Sequence, residues 1–571
     1  MLWCGTTISA PVKAGAYVPV TDAMIQSPPD GDWLMWRRTV DSWGYSPLDT
    51  VNRDNVGELM QVWSRELAPG FQEGTPLVHG GIMYMINPGD IIQAMDAASG
   101  KLIWEYHRKL PADLKKVIFA ADIKRNIAIY GNLIINTSGD DYVYAVDAVT
   151  GKQAWETMVQ DYRERPAQHS AGPIIADGKI ISGRNCLPKG GPEACVITAH
   201  NAITGKELWR TRTMEVYSGK DDSWGGVPDK QRLQVGAWMV ASYDPVLKLI
   251  YMGTSVTSPT PKFLLGGVDK PHLYHNSTLA LDPESGRIVW YYQHIIDHWD
   301  LDHTFERILV DTAVAPDASE VAWIDPGIKP GERRKVVTGV PGKTGIVYTL
   351  DRATGEFLWA RPTIRQNVVE NIDGATGKVT DNPAAVFNKK GDTLTICPSA
   401  AGGRNWPAGA YSPLTNAMYI PEQNVCMEAT AVIDKPDPKS ILGFVSRGHV
   451  APGTDKIGAV YAVSVETGRT LWKYEERAPT TSLVTTGGGL IFGGDAHGIF
   501  RAYDQDTGTV LWETDLGSQV TGFPITYAVD GRQYVAVSTG SSLATMANLM
   551  LAPELKQGSD NKLFVFALPQ K

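Results

Sequence analysis

Long hydrophobic runs are absent from this sequence of 571 residues, and basic residues are outnumbered by acidic ones. No stretch is long and apolar enough to cross a bilayer as a helix. The 53 Lys and Arg stand against 62 Asp and Glu, and the formal net charge of −9 leaves no basic footprint for nucleic acid. The motif Cys-x-x-Cys-His is missing, which excludes a covalently attached haem within these residues. We therefore expect neither a membrane span nor a nucleic-acid partner.

Cysteine is scarce, with five residues, at positions 4, 186, 195, 397 and 426. The pairs Cys186/Cys195 and Cys397/Cys426 are spaced either for disulfides or for buried free thiols, and Cys4 is left over. The first 20 residues have no basic segment and only a short apolar one, so they are either a mature end or the remnant of an export signal. We expect residues 1–30 to be an N-terminal extension and residues 31–571 to be a single domain.

Glycine and tryptophan, in contrast, are plentiful, with 57 and 17 residues. Many of them belong to one repeated pattern: an Asp in most copies, a Ser/Thr-Gly pair, and a Trp four residues after the Gly. A fixed pattern that recurs along the chain is the signature of a repeat architecture. Seven copies lie at 94–104, 145–155, 199–209, 280–290, 349–359, 462–472 and 502–512.

Each copy indicates a strand, a tight turn and a second strand that carries the Trp. A large flat indole at the same place in every unit is suited to wedge between adjacent sheets. Such units predict an all-β fold, an eight-bladed β-propeller whose ring is closed by N- and C-terminal strands. The eighth, degenerate unit lies either across residues 359–462 or at the closure, where 55–63 and 562–568 are the candidate strands.

Acidic and imidazole side chains concentrate at 291–306, directly after the Trp of one repeat. Asp300 and Asp302 face the same way on an extended segment, because alternate side chains share a face. Two converging carboxylates indicate either a hard cation with oxygen ligands or a general base, and a solvated loop is the ordinary alternative. The same segment also holds His294, Asp297, His298 and His303.

Other polar and aromatic side chains stand outside the repeat without an evident structural task. Taken singly, each has an ordinary structural explanation. At similar places in successive units, they predict one axial pocket for a planar, anionic, carbonyl-bearing ligand. These residues are Glu73, Lys124, Arg125, Trp238, Lys343, Arg404, Asn405 and Trp406.

Over nearly its whole length the sequence resembles the pyrroloquinoline quinone (PQQ)-dependent alcohol dehydrogenases. The resemblance rests on the repeats and on "HWDLD" (298–302), "GKTGIVYTLDR" (342–352) and "CPSAAGGRNWPAGAYSP" (397–413). It implies PQQ near the propeller axis beside Ca²⁺ or a lanthanide ion. It also implies oxidation of a primary or secondary alcohol, with electrons passed to a separate acceptor such as a cytochrome c or a dye. Together with the cysteine pairs, it indicates a periplasmic or secreted protein.

The resemblance also implies roles for single residues. Asp300 corresponds to the general base, Trp238 to the indole on which the quinone stacks, and Lys343 to the cation that bonds the quinone oxygens. Cys397 and Cys426 correspond to a disulfide of the family, and we expect Cys186 and Cys195 to form a second one within one loop. The further residues expected to contact the cofactor are Glu73, Arg125, Ser170, Asn405 and Trp406.

The metal ligands depart from the family pattern. The usual Glu falls in an inserted segment where Glu193 is the best candidate, and the usual Asn has no counterpart in residues 253–259. Asp302 is placed to compensate, so the expected ligands are Glu193, Asp300 and Asp302. A vicinal Cys pair of many members is replaced by Ala120 and Ala121.

Two rival interpretations come from other classes: a non-catalytic propeller scaffold built from the same repeats, and a metal-dependent hydrolase on a propeller. Function resides in the site that a fold carries, so the fold alone does not decide between them. A scaffold needs the Trp of each repeat but has no use for Trp238, Asp300 and Lys343 together. The presence of all three favours the enzyme.

Overall fold

The computed structural model describes residues 17–258, 260–435, 442–555 and 558–570. Eight sheets of four or five strands follow one another along these residues, and we number them sheet 1 to sheet 8. In each of them, the four main strands pair antiparallel with their neighbours in the sheet, as in sheet 3. The fold is therefore an all-β, propeller-type fold, as the repeats predict.

The first four sheets have four strands each. Their strands are Leu77–His79, Ile82–Asn87, Ile91–Asp96 and Leu102–His107 in sheet 1; Ala128–Tyr130, Leu133–Thr137, Tyr142–Asp147 and Gln153–Met158 in sheet 2; Ile174–Ala176, Lys179–Ser182, Val196–Asn201 and Glu207–Arg212 in sheet 3; and Ser242–Asp244, Leu249–Gly253, Ser277–Leu281 and Ile288–Gln293 in sheet 4.

The last four sheets include two with an added fifth strand. Their strands are Ile308–Val314, Glu332–Gly339, Ile346–Asp351, Phe357–Pro362 and Trp323–Ile324 in sheet 5; Ala410–Ser412, Ala417–Gln423, Gly458–Ser464 and Thr470–Glu476 in sheet 6; Thr480–Thr486, Leu490–Asp495, Ile499–Asp504, Val510–Asp515 and the parallel Tyr45–Ser46 in sheet 7; and Ile525–Val529, Arg532–Thr539, Lys562–Ala567 and Met60–Glu66 in sheet 8.

Smaller elements connect the sheets. The short strands are Ala167–Gln168 paired with Asn185–Cys186, Val369–Ile372 paired with Val379–Asp381, and the three-stranded group Thr393–Ile396, Val425–Ala431 and Phe444–Val450. The α-helices are Asp22–Gln26, Leu114–Val117 and Leu543–Leu549, and the 3₁₀ turns are Val56–Glu58, Pro188–Gly190, Pro192–Ala194, Asp229–Gln231, Lys262–Leu264 and Pro383–Ala385.

All seven repeats form the turn between the third and fourth strands of a sheet, as in sheet 2. There Asp147 Oδ1 accepts hydrogen bonds from the backbone N–H groups of Val149, at 3.1 Å, and Thr150, at 2.8 Å. Gly151 follows with φ of 68°, a conformation that glycine adopts without steric cost. The predicted turn chemistry is thus confirmed.

The Trp of six of the seven repeats packs on the turn glycine of the next sheet. A Cβ atom on Gly205 of sheet 3 would lie 2.3 Å from Cε3 of Trp155 of sheet 2, so only glycine lets the indole approach. The same contact joins Trp63 to Gly100, Trp104 to Gly151, Trp209 to Gly286, Trp290 to Gly355, Trp359 to Gly468 and Trp472 to Gly508. The wedging role predicted for the indole is therefore confirmed, and it explains the fixed spacing of the repeat.

Sheet 8 is the sheet without the repeat. Its outer strand, Met60–Glu66, pairs with Lys562–Ala567 near the other end of the chain. Trp63 of this outer strand packs on sheet 1, and Trp512 of sheet 7 packs edge-on against Phe566 of sheet 8 with ring centroids 5.3 Å apart. The degenerate unit therefore lies where Met60–Glu66 pairs with Lys562–Ala567, while residues 359–462 supply the first two strands of sheet 6.

The inner strands are buried and the outer ones alternate in exposure. Every residue of Leu133–Thr137 is buried, whereas exposed positions alternate along Gln153–Met158. Both predicted disulfides are present, Cys186–Cys195 and Cys397–Cys426, and Cys4 lies outside the described residues. No described helix has the length and hydropathy needed to cross a membrane.

Candidate active site

A cavity of about 440 Å³ opens among the loops that enter the inner strands of successive sheets. Glu73 precedes sheet 1, Arg125 sheet 2, Ser170 sheet 3 and Trp238 sheet 4 by four or fewer residues. Because the inner strands converge, side chains that are far apart in sequence meet here. The residues predicted to contact a cofactor all line this cavity: Glu73, Arg125, Ser170, Trp238, Lys343, Asn405 and Trp406.

Asp300 and Asp302 share the cavity wall with Lys343. The ammonium nitrogen of Lys343 lies 3.1 Å from Asp300 Oδ1 and 3.2 Å from Asp302 Oδ2. Burial raises the pKa of Asp300 to about 7, against the opposing charge of Lys343 and with the help of Asp302. Burial lowers the pKa of Lys343, but the two carboxylates outweigh it and raise that pKa above its ordinary value. The lysine is therefore charged, and the pKa of Asp300 lies closer to neutrality than that of an ordinary carboxyl group.

Asp297 shapes the turn that presents these carboxylates. Its Oδ1 accepts the N–H of Trp299 at 2.7 Å, and its Oδ2 accepts the N–H of Leu301 and an N–H of Asn276. The nitrogen of Asp297 donates in turn to Nε2 of His275 at 3.1 Å. Both carboxylate oxygens of Asp297 thus accept hydrogen bonds that hold the loop in place, a structural role that sequence alone did not reveal.

The histidines of the same segment lie away from the cavity. His294 stacks on His303 with ring centroids 5.0 Å apart. Burial lowers the pKa of both rings, to about 3 for His303. His298 is also buried, 3.7 Å from Asp381. Of the acidic and imidazole cluster, the structure brings only Asp300 and Asp302 to the cavity among the described residues.

Arg125 organises the opposite part of the cavity. Its guanidinium lies 2.6 Å from Glu73 Oε2 and donates to Ser170 Oγ at 2.9 Å. It also lies 5.2 Å from the ring centroid of Trp238 and 5.6 Å from that of Trp406. Burial lowers the pKa of Arg125, and the charge of Glu73 opposes this shift. A cation between two indoles therefore forms one wall.

Asn405 and Trp406 are fixed by their own loop and by the helix Leu543–Leu549. Asn405 Nδ2 donates to the carbonyl of Ala401 at 2.9 Å, and Trp406 Nε1 donates to Ser542 Oγ at 3.2 Å. The helix contributes Leu543, Ala544 and Ala547 to the cavity, which sequence analysis missed because that segment carries no polar motif.

The structure does not place Glu193, one of the expected metal ligands, at the cavity. Its carboxylate lies 3.1 Å from Arg212 and its side chain is 53% exposed. The insertion forms 3₁₀ turns, tied by the disulfide, that carry Glu193 outward. Asn185, directly before that insertion, lines the cavity instead, together with Gln234. The available signal was position, since Asn185 follows the strand Lys179–Ser182 of sheet 3 by three residues, much as Lys343 follows the strand Glu332–Gly339 of sheet 5 by four.

Arg404 and Lys124, singled out by sequence, lie behind the cavity wall. Arg404 is buried, and it pairs with the buried Glu306. Lys124 pairs with Asp90 at 3.0 Å. Ala120 lines the cavity and its neighbour Ala121 does not. The charged side chains of Arg404 and Lys124 therefore support the loops and do not face the cavity.

Known proteins resemble this chain in sequence. A family profile described as the beta-propeller domain of PQQ glucose/ethanol/alcohol dehydrogenases matches residues 33–380 and 476–535. The quinoprotein alcohol dehydrogenase PedH of Pseudomonas putida is 31% identical, over 87% of this chain and 84% of its own length. The dehydrogenase subunit of a quinone alcohol dehydrogenase of Komagataeibacter europaeus is also 31% identical, over 89% of this chain and 71% of its own length.

Solved structures resemble it in fold. The quinohemoprotein alcohol dehydrogenase ADHIIG of Pseudomonas putida superposes with a TM-score of 0.82, at 27% identity, over 97% of this chain and 84% of its own. A europium-containing methanol dehydrogenase superposes with a TM-score of 0.83 at 24% identity, over 96% of this chain and all of its own, a likeness of fold.

Proposed function

Since the chain belongs to the PQQ-dependent alcohol dehydrogenases, an oxidoreductase family, we propose that it oxidises a primary or secondary alcohol to an aldehyde or ketone. The observation that carries the proposal is the meeting of Trp238, Asp300 and Lys343 around one cavity. These residues lie in different loops, and neither the repeats nor the sheet packing requires them there. A non-catalytic scaffold has no need of such a meeting.

The cavity suits PQQ, a planar tricarboxylate with an ortho-quinone. Trp238 and Trp406 offer aromatic faces, and Arg125 and Lys343 offer positive charge at separate places. Nε of Arg125 is buried and has no hydrogen-bond partner among the described residues, so it is a donor left over for a ligand. Glu73, Ser170 and Asn405 supply polar atoms around the edge, and they would hold the cofactor with the four residues named above.

When bound, PQQ would supply the electrophilic quinone that takes the hydride of the alcohol, and a cation held in the same cavity would strengthen that electrophile. Asp300 accepts the proton of the alcohol hydroxyl, a contribution typically worth about 10²–10⁴-fold in rate. Lys343 holds a positive charge where negative charge develops on oxygen, and it is positioned in advance by two carboxylates. Asp300 and Asp302 would hold the cation, either Ca²⁺ or a lanthanide, because carboxylate oxygens are the ligands that hard cations prefer.

Several finer features belong to the same proposal. The eight sheets form one closed, eight-bladed ring, which is supported by the indole contacts that run from each sheet to the next. Residues 31–571 are its single domain, with residues 1–30 as an extension, although Val20 already pairs with Gly131 of sheet 2. Electrons pass to an external acceptor such as a cytochrome c or a dye. The two disulfides fit a periplasmic or secreted protein.

Reconstitution tests the proposed function directly. The purified protein is loaded with PQQ and Ca²⁺, and reduction of an artificial dye is followed with a series of primary and secondary alcohols. We expect dye reduction that depends on both PQQ and alcohol. A protein that stays folded but binds no PQQ, or binds it and oxidises no alcohol in the series, would favour the scaffold.

A further inference from the structure

Two carboxamides lie on the cavity wall that also carries the carboxylates of Asp300 and Asp302. Gln234 Nε2 donates to Asn185 Oδ1 at 3.3 Å. The other end of the same amide, Gln234 Oε1, is buried and has no hydrogen-bond partner among the described residues. Gln234 is only 4% exposed, so this oxygen has little access to water. A buried acceptor without a partner is costly, and because Gln234 lines the cavity, a ligand bound there is a candidate partner for it.

The backbone ties these amides to the carboxylates. Ser255 donates its N–H to the carbonyl of Gly236 at 2.7 Å, and Gly236 donates its N–H to Ser255 Oγ at 2.7 Å. The next residue, Val256, donates its N–H to Asp302 Oδ1 at 3.0 Å. The segment that bears Gln234 is thus joined through two short bridges to the carboxylate of Asp302.

Gly236 also makes room for the amide of Asn185. A Cβ atom at position 236 would lie 2.7 Å from Asn185 Oδ1, and Ala237 donates its N–H to the carbonyl of Arg184 at 2.8 Å. The two segments are therefore held in close approach, and any residue larger than glycine would push the amide oxygen away. The structure keeps this oxygen in place beside the cavity.

The charge around this wall is small. When both are ionised, Asp300 and Asp302 carry two negative charges, and the ammonium of Lys343 near both of them cancels one. No cluster of three or more His, Cys, Asp or Glu side chains suited to a metal occurs in the part of the chain that the structure describes. The remaining donors on the wall are neutral amides. Because affinity for hard cations depends on the charge of the ligand set, this set suits a doubly charged ion better than a triply charged one.

We infer that the carboxamides of Asn185 and Gln234 complete, with the carboxylates of Asp300 and Asp302, an oxygen site for a divalent cation such as Ca²⁺. The inference rests on the proposed function, because it names the ligands and the charge class of the ion in that same site. It replaces Glu193 by two neutral ligands. Calcium accepts amide oxygens as well as carboxylates and tolerates irregular geometry.

Cation binding to the PQQ-free protein tests this inference without using activity. After removal of metal by a chelator, the parent and its variants are titrated with Ca²⁺ and with La³⁺ by isothermal calorimetry. We expect Gln234→Ala and Asn185→Ala each to weaken Ca²⁺ binding by about tenfold or more, the change seen when a partner of a metal site is lost. Gln168→Ala is the matched control, because Gln168 lines the same cavity but donates to the carbonyl of Ala120. Its Ca²⁺ affinity should stay within about twofold of the parent value.

The variant Asn185→Asp tests the charge argument and keeps the size of the side chain. The added carboxylate attracts a triply charged ion about one and a half times as strongly as a doubly charged ion. The ratio of La³⁺ affinity to Ca²⁺ affinity should therefore rise by about tenfold. Thermal unfolding in chelator shows whether each variant is folded before it is titrated. If Gln234→Ala unfolds, the isosteric Gln234→Glu replaces it and should raise La³⁺ affinity in the same way.

Three results would overturn the inference: parent-like Ca²⁺ affinity in both alanine variants, an unchanged La³⁺ to Ca²⁺ ratio in Asn185→Asp, or a parent that binds La³⁺ but not Ca²⁺. Failure of the proposed function looks different. A protein whose Ca²⁺ affinity responds to these variants but which oxidises no alcohol refutes only the proposed activity. An active alcohol dehydrogenase whose cation affinity ignores Asn185 and Gln234 refutes only the ligand assignment.

Discussion

Alcohol oxidation by the enzyme loaded with PQQ and cation should slow as the pH falls, because Asp300 then takes up the proton that it must accept from the alcohol. Burial raises the pKa of Asp300 to about 7, with Lys343 opposing and Asp302 adding to the shift. A carboxyl group is ionised to about nine-tenths one pH unit above its pKa and to about one-tenth one unit below it, so turnover should fall about tenfold across the two pH units centred on the pKa of Asp300. A cation bound to the carboxylate favours its ionised form and moves this acidic limb to lower pH.

The variant Asp300→Asn keeps the shape of the side chain and removes the base. We expect it to fold and to lose at least about 10²-fold in turnover, measured as initial rates of dye reduction, with the pH dependence abolished. Asp54→Asn, at an exposed position, is the control for loss of one negative charge and should match the parent. If Asp300→Asn retains PQQ and cation and still turns over at the parent rate with the same pH profile, then Asp300 is not the base, and Asp302 is the next carboxylate to test.

Three further predictions concern the cofactor and the fold. Trp238→Ala should weaken PQQ retention on gel filtration, since aromatic stacking contributes about 0.5–1.5 kcal/mol beyond area burial, while Tm stays close to the parent value; equal retention would show that the indole does not stack on the cofactor. Replacing both Cys397 and Cys426 by Ser should cost about 2–4 kcal/mol of unfolding free energy in denaturant titrations, and an unchanged midpoint would contradict this. Gly205→Ala should cost about 1–3 kcal/mol of unfolding free energy and so lower Tm, because the added Cβ clashes with Trp155 and φ is positive. Gly57→Ala has open space around the added Cβ and should leave Tm unchanged.

The repeats made most of the fold predictable. The contact between a Trp and the Gly of the next repeat joins only neighbouring sheets. The order of the repeats along the sequence therefore predicts the order in which the sheets pack, even when nothing is known of the loops. Sheet 8 lacked that signal, because no turn joins its last two strands. These strands, Lys562–Ala567 and Met60–Glu66, come from distant parts of the sequence. Its place was nevertheless among the alternatives, since Trp63 stands where an outer strand should carry its indole.

The cavity was predictable where a residue stands at a fixed distance before an inner strand, as Arg125 and Trp238 do. It was not predictable where an insertion breaks that counting. Glu193 lies beyond two 3₁₀ turns, and its exposure depends on how those turns fold back to Arg212, which no spacing rule gives. Gln234 is similar, because its approach to Asn185 depends on a single glycine at 236.

One consequence of this architecture is that the site is assembled by the inner ends of the sheets, whereas the repeats that hold the sheets together lie at the turns between their third and fourth strands. The indole of Trp155 packs on Gly205, while the ligand cavity is lined by residues that precede the first strands of the same two sheets, such as Arg125 and Ser170. Substitutions in the cavity therefore leave the contacts between sheets intact. For this reason, neutral side chains such as those of Asn185 and Gln234 can stand in the cavity in place of charged ones without a matching cost to the fold.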